Sequence, residues 1–443
     1  MTVPTYRNNP QALRALVRES QIHRDLYIDP DLFALEQEQF YGHTWNFAGH
    51  ASQIPTPGDY ITLTLAGRPL ILLRQADGSV RGFFNRCAHK GAKLLNESCG
   101  NTGKFLRCPY HAWSFKTDGA LLSMPLKAGY EDTGLASCEN GQGLTPIPHL
   151  QVYRDFIFIK LKPGGMDLAT YFGEALGAID SMVDRSPTGQ LRVAGGVLRN
   201  VMNCNWKMYL ENINDTVHPV STHESVVKAA QSVWQDHDPD EPKPMAIEQV
   251  LPFGNGYNFF DDMGGQVYPN GHSLLGINFS IHSGYQVPPD YEAALIAAHG
   301  EVRTREVLGR SPQNAVLYPS IAVKGSPQTM RVIRPLAVDR TLVEAWSFET
   351  VGAPDLLLER AMTYNRLVFS PMSVVAHDDI HLFETIQQGL RSPGNEWVSL
   401  HRGFRTDEMT TPSATVSGTN EWLMRNQYRA WLHFMTQNME AEA

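Results

Sequence analysis

Positions 205–223 hold two imidazoles and several carboxyl or amide side chains at spacings that could bring them together, in the pattern E-N-x-x-D-x-x-H-x-x-x-x-H from Glu211 to His223. Read as a helix, the stretch puts Glu211, Asp215 and His218 along one face and leaves Trp206 and Leu210 free to pack nearby. His223 does not fit that helix. It lies five residues past His218, and Pro219 has no N–H to donate and would clash with the Asp215 carbonyl in a straight helix. The helix is therefore expected to kink or widen at Pro219, a distortion that often marks functional sites. Two imidazoles converging beside a carboxylate would make a transition-metal site. On this stretch alone the alternative is two surface histidines near a helix end.

A second group lies upstream: Cys87 and His89 as C-x-H, then Cys108 and His111 as C-x-x-H, with 18 residues between His89 and Cys108. Each half offers one thiolate and one imidazole from a tight loop after a strand. Tetrahedral zinc accepts two Cys and two His, but zinc fingers usually pair Cys with Cys and His with His. C-x-H with C-x-x-H is the arrangement by which two cysteines hold one iron and two histidines the other in a Rieske [2Fe–2S] cluster. Cys99 breaks no spacing rule and is expected to be a loop or core thiol.

The elements that must position these groups follow from periodicity and turn residues. Residues 10–41 read as two helices that pack, the second opened by Asp29 as cap and Pro30 at the first helical position. Short β-branched and aromatic runs at 60–65, 69–74 and 80–84, with a turn at Asp77 and Gly78, predict an antiparallel sheet. It continues through 112–115, a turn at Asp118 and Gly119, and a hairpin over 151–161. Lys162, Pro163, Gly164 and Gly165 look like a domain boundary, followed by a helix over 168–183. Beyond lie a strand near 191–199, the 205–223 stretch, and a region to about 325 rich in Gly, Asn and aromatics, where 254–260 and 276–281 read as strands with long loops. A hairpin over 330–336 and 341–348, a helix over 354–369 and a last helix over 419–435 complete the chain. The aromatics of that last helix, Trp422, Tyr428, Trp431 and Phe434, suit packing.

At 443 residues the chain has room for two or three domains. Its 42% hydrophobic and 19% charged content, without an apolar run long enough to span a bilayer, argues against disorder and membrane insertion. The first twenty residues lack the apolar core of a secretory signal, so a cytoplasmic location is expected. A net charge of −9 leaves no basic footprint for nucleic acid. Five scattered cysteines, Cys87, Cys99, Cys108, Cys138 and Cys204, suggest thiols or metal ligands and not a disulfide framework.

With these motifs in this order, the chain resembles the large (α) subunit of Rieske non-haem iron aromatic-ring-hydroxylating oxygenases. The resemblance covers nearly the whole length: the Cys/His loops, then the Glu211–His223 pattern, then an acidic pair, Asp378 and Asp379, trailed by Glu384 and Gln388. It implies an α+β fold: an N-terminal all-β Rieske domain (46–162) inserted among helices, of which those in 1–45 pack on a C-terminal catalytic domain (163–443) with an antiparallel sheet flanked by helices. By position, Cys87, His89, Cys108 and His111 would hold the [2Fe–2S] cluster, and His218, His223 and Asp379 a mononuclear Fe(II) as a two-histidine, one-carboxylate triad. Asp378 is the alternative to Asp379. Asp215 matches the bridging aspartate that links a cluster histidine of one subunit, here His111, to an iron histidine of the next. A carboxylate accepting N–H bonds from two ligand imidazoles suits that role. Asn212 matches a residue beside the iron, and Ile213, Thr216 and Val217 are expected to line the pocket. Lys90 departs from the arginine that many members carry. His377 and His381, beside the acidic pair, are expected to be neighbours of the site or surface groups.

No G-x-G-x-x-G follows a strand and no flavin-binding domain is evident, so the resemblance implies a separate NAD(P)H-dependent reductase, acting directly or through a ferredoxin. Also implied are O₂ and an aromatic small molecule as substrates, a homotrimer (α3 or, with a small β subunit, α3β3), and hydroxylation or cis-dihydroxylation of the ring. Two other readings stand beside it. A Rieske electron carrier would need only about the first 160 residues, and a Rieske monooxygenase would demethylate or oxidise a side chain.

Overall fold

The computed structural model describes residues 6–135, 142–238 and 240–437, so Cys138 lies outside the described residues. The chain divides into two compact units: residues 41–165, and the residues up to Phe40 together with those from Met166 on.

In the 41–165 unit the alternating runs become strands close to their expected bounds. Val80–Phe84, Arg68–Arg74, Asp59–Leu65 and Cys99–Asn101 form a four-stranded antiparallel sheet in that order. The Asp77–Gly78 turn closes because the Asp77 carboxylate accepts the Ser79 N–H at 2.9 Å while Gly78 takes φ +82°. Three-stranded sheets join Phe105–Arg107, Ser114–Lys116 and Leu121–Ser123, and His149–Tyr153, Phe156–Lys160 and Asn46–His50. Cys87 and Cys108 belong to one apolar core with Ile71, Phe83, Leu106, Trp113 and Phe115. Cys99 is exposed on its strand.

The other unit is built on an eight-stranded antiparallel sheet. Its order is Leu191–Met202, Arg340–Thr350, Thr329–Ala337, Ile321–Lys324, Asn314–Leu317, Ser273–Leu275, Gly265–Val267 and Ala414–Val416. Helices flank it, including Trp206–Ile213, Ala376–Gly389 and Trp422–Thr436. The α+β fold therefore stands: mixed helices with antiparallel sheets, the β-rich unit inserted in sequence between two segments of the other.

Helix Trp206–Ile213 is locked at its base by buried polar side chains. Glu36, 1% exposed, accepts the indole N–H of Trp206 at 3.0 Å and of Trp431 at 2.7 Å, and pairs with the Lys207 ammonium. Glu211 accepts the hydroxyls of Tyr27, at 2.8 Å, and Tyr428. Trp422, Tyr428, Trp431 and Phe434 are all buried in packing, as expected.

Several expectations are corrected. The first N-terminal helix is only Pro10–Arg14, and Gln21–His23 is a strand paired with Trp397–Ser399. Asp29 does cap the helix that Pro30 begins, accepting N–H bonds from Asp31 and Leu32. The region 225–325 does hold four strands of the large sheet, but helices take more of it: Glu224–Trp234, Met245–Val250, Tyr257–Asp262, Pro289–His299 and Glu301–Gly309. Residues 254–260, expected as a strand, run into the helix Tyr257–Asp262, which is anchored by the buried Phe260; 276–281 is irregular. The helix over 205–218 is also cut short, as described next.

Candidate metal centres

Helix Trp206–Ile213 starts under an Asn205 cap and stops before the first of the two histidines. Asn and Asp side chains compete for backbone groups and end helices readily, and Asn214 and Asp215 follow here. The Asp215 carboxylate accepts the His218 backbone N–H at 2.8 Å. Pro219 is thus no kink inside a helix. It is the first residue of a new one, Pro219–Thr222, where its missing N–H costs nothing. His218 and His223 flank this single turn, and that brings residues five apart to one side. Glu211 lines one cavity with Asp215 and His218, as the spacing suggested, but its carboxylate turns to the Tyr27 and Tyr428 hydroxyls.

Three donor atoms, one each from His218, His223 and Asp379, lie within 4.8 Å of one another. Asp379 Oδ1 is 3.7 Å from His218 Nε2 and 3.5 Å from His223 Nε2. The other imidazole nitrogens face carboxylates: His218 Nδ1 is 2.9 Å from Asp215 Oδ2, and His223 Nδ1 is 3.5 Å from Asp378 Oδ2. Of the acidic pair on Ala376–Gly389, then, Asp379 meets the inward nitrogens and Asp378 the outward one. The Asn212 amide reaches both His218 Nε2, at 3.1 Å, and Asp379 Oδ1, at 3.2 Å. His377 and His381 are exposed.

The electrostatics suit a cation. Burial pushes the Asp379 carboxyl above its ordinary range, against the pull of His218, His223 and Asn212. Burial likewise lowers His223, outweighing both aspartates, and keeps its imidazole neutral with a lone pair to give. A buried carboxylate between two imidazole lone pairs is the donor set of a divalent transition metal, with coordination positions left open. Burial alone would raise Asp215, but the hydrogen bonds from His218 and the Arg402 guanidinium hold it below the ordinary range. Its second oxygen accepts Arg402 Nη2 at 3.0 Å, so within one chain Asp215 meets one imidazole and one guanidinium. Ile213 and Val217 line cavities beside the donors, whereas Thr216, expected to do the same, donates its hydroxyl to the Gly418 carbonyl from a buried position.

The two Cys/His loops share one backbone design. The Cys87 N–H donates to the Ala92 carbonyl and the Gly91 N–H to that of Cys87; Cys108 repeats this with Trp113 and Ala112. The fourth residue after each cysteine, Gly91 or Ala112, has left-handed φ, +78° and +57°. Asn85 braces the first loop, accepting the N–H groups of Leu94 and Leu95 at 2.9 and 3.1 Å. His89 stacks on Trp113 at 4.8 Å, and the His89 and His111 ring centroids are 4.6 Å apart. Burial, with Cys108 alongside, pushes the Cys87 thiol up, although backbone N–H groups of His89 and Lys90 point at its sulfur.

The buried His89 Nδ1 has no hydrogen-bond partner, as expected of a nitrogen that serves as a metal ligand. Among the described residues, three donors within 4.8 Å of one another occur at the His218 site and not at these loops. Two loops that each offer one thiolate and one imidazole, with the cysteines side by side and the histidines side by side, suit a two-metal cluster.

Spacing pointed to both histidines and to the loop ligands. It missed Arg402, and also Lys324 and Arg331, which line the cavity behind Asp379. The available signal was Lys324 at the end of the apolar run Ile321–Lys324 and Arg331 between Met330 and Val332.

Residues 44–139 match the Rieske [2Fe-2S] domain family, and residues 185–437 match the family described as ring hydroxylating alpha subunit (catalytic domain). The large subunit of anthranilate 1,2-dioxygenase from Acinetobacter baylyi is 29% identical, over 96% of this chain and 91% of its own length. The alpha subunit of toluate 1,2-dioxygenase from Pseudomonas putida is 27% identical, over 95% and 92%. A naphthalene 1,2-dioxygenase variant solved with phenanthrene superposes with a TM-score of 0.77 at 25% identity, covering 95% of this chain and 94% of that one. A chain that carries both families in this order belongs to the Rieske ring-hydroxylating oxygenases, as an alpha subunit.

Proposed function

We propose that this chain is the terminal oxygenase of a multicomponent system that hydroxylates or cis-dihydroxylates an aromatic compound, using O₂ and two electrons from a separate reductase. The observation that carries this is the convergence of His218, His223 and Asp379 within 4.8 Å in a chain that also bears a Rieske domain. A Rieske electron carrier would have no use for the region 185–437, and the named relatives are ring dioxygenases, not demethylases.

In this reading Cys87, His89, Cys108 and His111 hold the [2Fe–2S] cluster in the Rieske domain, over about 46–162, and the iron triad belongs to the catalytic domain, 163–443. When bound, the cluster supplies electrons one at a time and the mononuclear Fe(II) supplies the site of O₂ activation. The chain's own residues do the rest. Asp215 and Asp378 take the outward Nδ1 atoms of His218 and His223, which fixes each tautomer and aims Nε2 inward. Asn212 lies against two of the three donors and steadies their orientation. Phe253, Tyr364, Phe369 and Phe383 exclude water from the cavity.

His111 is exposed, as a group that works across a subunit boundary must be. We assign Asp215 to receive it from a neighbouring copy in a homotrimer, completed in some forms by a small β subunit. Among the described residues no helix is long and apolar enough to cross a membrane, and a cytoplasmic location fits the need for a reduced nicotinamide donor and its reductase.

The test is metal analysis with turnover. The purified chain should hold three irons, two in a cluster with Rieske absorption and one removable without bleaching it. With a reductase, NADH and an aromatic panel it should consume O₂ and form a hydroxylated ring. Two irons per chain and no O₂ uptake would return the chain to the electron carriers.

A further inference from the structure

The cavity behind the triad is small, about 70 Å³, and its walls differ in kind. One wall is apolar, with Phe253, Tyr364, Val368, Phe369 and Val375. The other is a face of the large sheet and carries two cations. Lys324 pairs in register with Thr329, two residues before Arg331 on the next strand, so the two cations are diagonal neighbours on one face. Asn314 comes from the following strand. Both cations are 1% exposed.

Neither cation is satisfied. Arg331 Nη2 donates to Asn314 Oδ1 at 2.6 Å and the Tyr209 hydroxyl lies beside the guanidinium, but Nε and Nη1 have no hydrogen-bond partner. The guanidinium sits over the Phe369 ring, 4.5 Å from its centroid. Lys324 Nζ has no hydrogen-bond partner at all and lies 5.5 Å from the Tyr364 centroid. Burial, then the charge of Arg331, drives Lys324 well below its ordinary range, and no carboxylate offsets them. The nearby Asp379 is engaged by His218, His223 and Asn212. Two basic groups buried side by side with open N–H groups are costly, and an incoming anion relieves that cost by pairing with the guanidinium and favouring the charged lysine.

We propose, on the oxygenase assignment above, that Lys324 and Arg331 seat the carboxylate of an aromatic acid, so that the substrate class is aromatic carboxylic acids and not neutral arenes. A carboxylate brings two oxygens with about four acceptor positions to three unpartnered nitrogens. Its ring then lies against the apolar wall, in the cavity that Asp379 and both histidines also line; benzene fills a cavity of about 150 Å³, so Phe253, Val368 and Phe369 must draw back to admit it. A hydrocarbon of the same shape leaves all three nitrogens stranded, and a site built to hydrogen-bond its substrate rejects an analogue that cannot respond.

The experiment is calorimetric titration of the purified holoenzyme, without reductant, with benzoate, phthalate and phenylacetate, each against toluene. The best acid should bind at least about a hundredfold more tightly than toluene, and Lys324→Met and Arg331→Met should each weaken it by about a hundredfold. Thermal unfolding without ligand serves as the folding control. Lys324→Met should melt at or above the wild-type temperature, because it removes a buried amine that has no hydrogen-bond partner, and if Arg331→Met fails to fold, Lys324→Met alone decides. Toluene binding as tightly as the best acid, no acid binding, or Lys324→Met keeping full affinity would each overturn the assignment. Heat of binding needs no turnover, so such a failure leaves the oxygenase reading standing. That reading fails separately, on iron content and O₂ uptake.

Discussion

Asp378 and Asp379 are adjacent, alike, and opposite in duty. One side chain reaches the inward nitrogens of both histidines and the other the outward nitrogen of His223. Asp379→Ala should therefore lose the mononuclear iron while the cluster absorption stays intact. Asp378→Ala should keep that iron with affinity lowered roughly 10- to 100-fold, the usual cost of losing a partner that orients a ligand imidazole. Metal analysis after graded chelation separates the two, and the reverse order would exchange their roles. Asp215→Asn should retain all the iron yet slow cluster reoxidation in a single turnover by orders of magnitude, since an amide carries no charge to favour a linked imidazolium. Reoxidation at the wild-type rate would leave Asp215 a merely structural part. At this scale the ligand histidines and cysteines were legible because they are rare residues at telling intervals. Asp379 was not, because nothing in the spacing of a distant acidic pair says which member faces inward; only the family resemblance favoured it. Lys324 and Arg331 stayed hidden because strand register, which no local pattern supplied, makes them neighbours.

Helices and strands show a similar division. The sheet before residue 85 and the hairpin Thr329–Ala337 with Arg340–Thr350 matched expectation, since period-two alternation and turn residues agree there. The 225–325 region did not. Its glycines and aromatics argued for strands, and burial of side chains such as Phe260 and Leu295 decided for helices. Around the histidines, the three- and four-residue rule overran the true helix end because Asp215 spends its carboxylate on the next turn. The helix that remains depends on Glu211. Burial lifts this carboxyl from 4.5 to about 7, against the hydrogen bonds of Tyr428 and Tyr27 and the charge of Lys207. The folded chain thus holds a proton that the unfolded chain releases, so the group's contribution is complete below about 4.5 and is lost as pH rises through 7. Glu211→Gln still accepts both tyrosine hydroxyls and should remove that slope. Between pH 4.5 and 7.5 the wild type should lose about 3 kcal/mol relative to the variant, at ~1.4 kcal/mol per pH unit, read from urea unfolding at several pH values. A pH-independent difference would clear Glu211 of this role.

At the scale of the whole molecule, the assembly prediction is a native mass of three copies, with or without a small second subunit, and activity lost on dilution to single chains. A stable, fully active monomer would refute it. The chain's own wiring has a consequence in time. Glu36 is made early, but its partners Trp206, Lys207 and Trp431 are spread over almost the whole remaining chain. At about 5–20 residues per second, a growing chain holds that acidic, apolar-flanked segment open for on the order of tens of seconds before Trp431 leaves the ribosome. The 41–165 unit is a compact unit of consecutive residues and is fully synthesised long before. A stalled or C-terminally cut nascent chain should therefore emerge coloured by its cluster, unable to hold the third iron, and dependent on chaperones to shield its first forty residues.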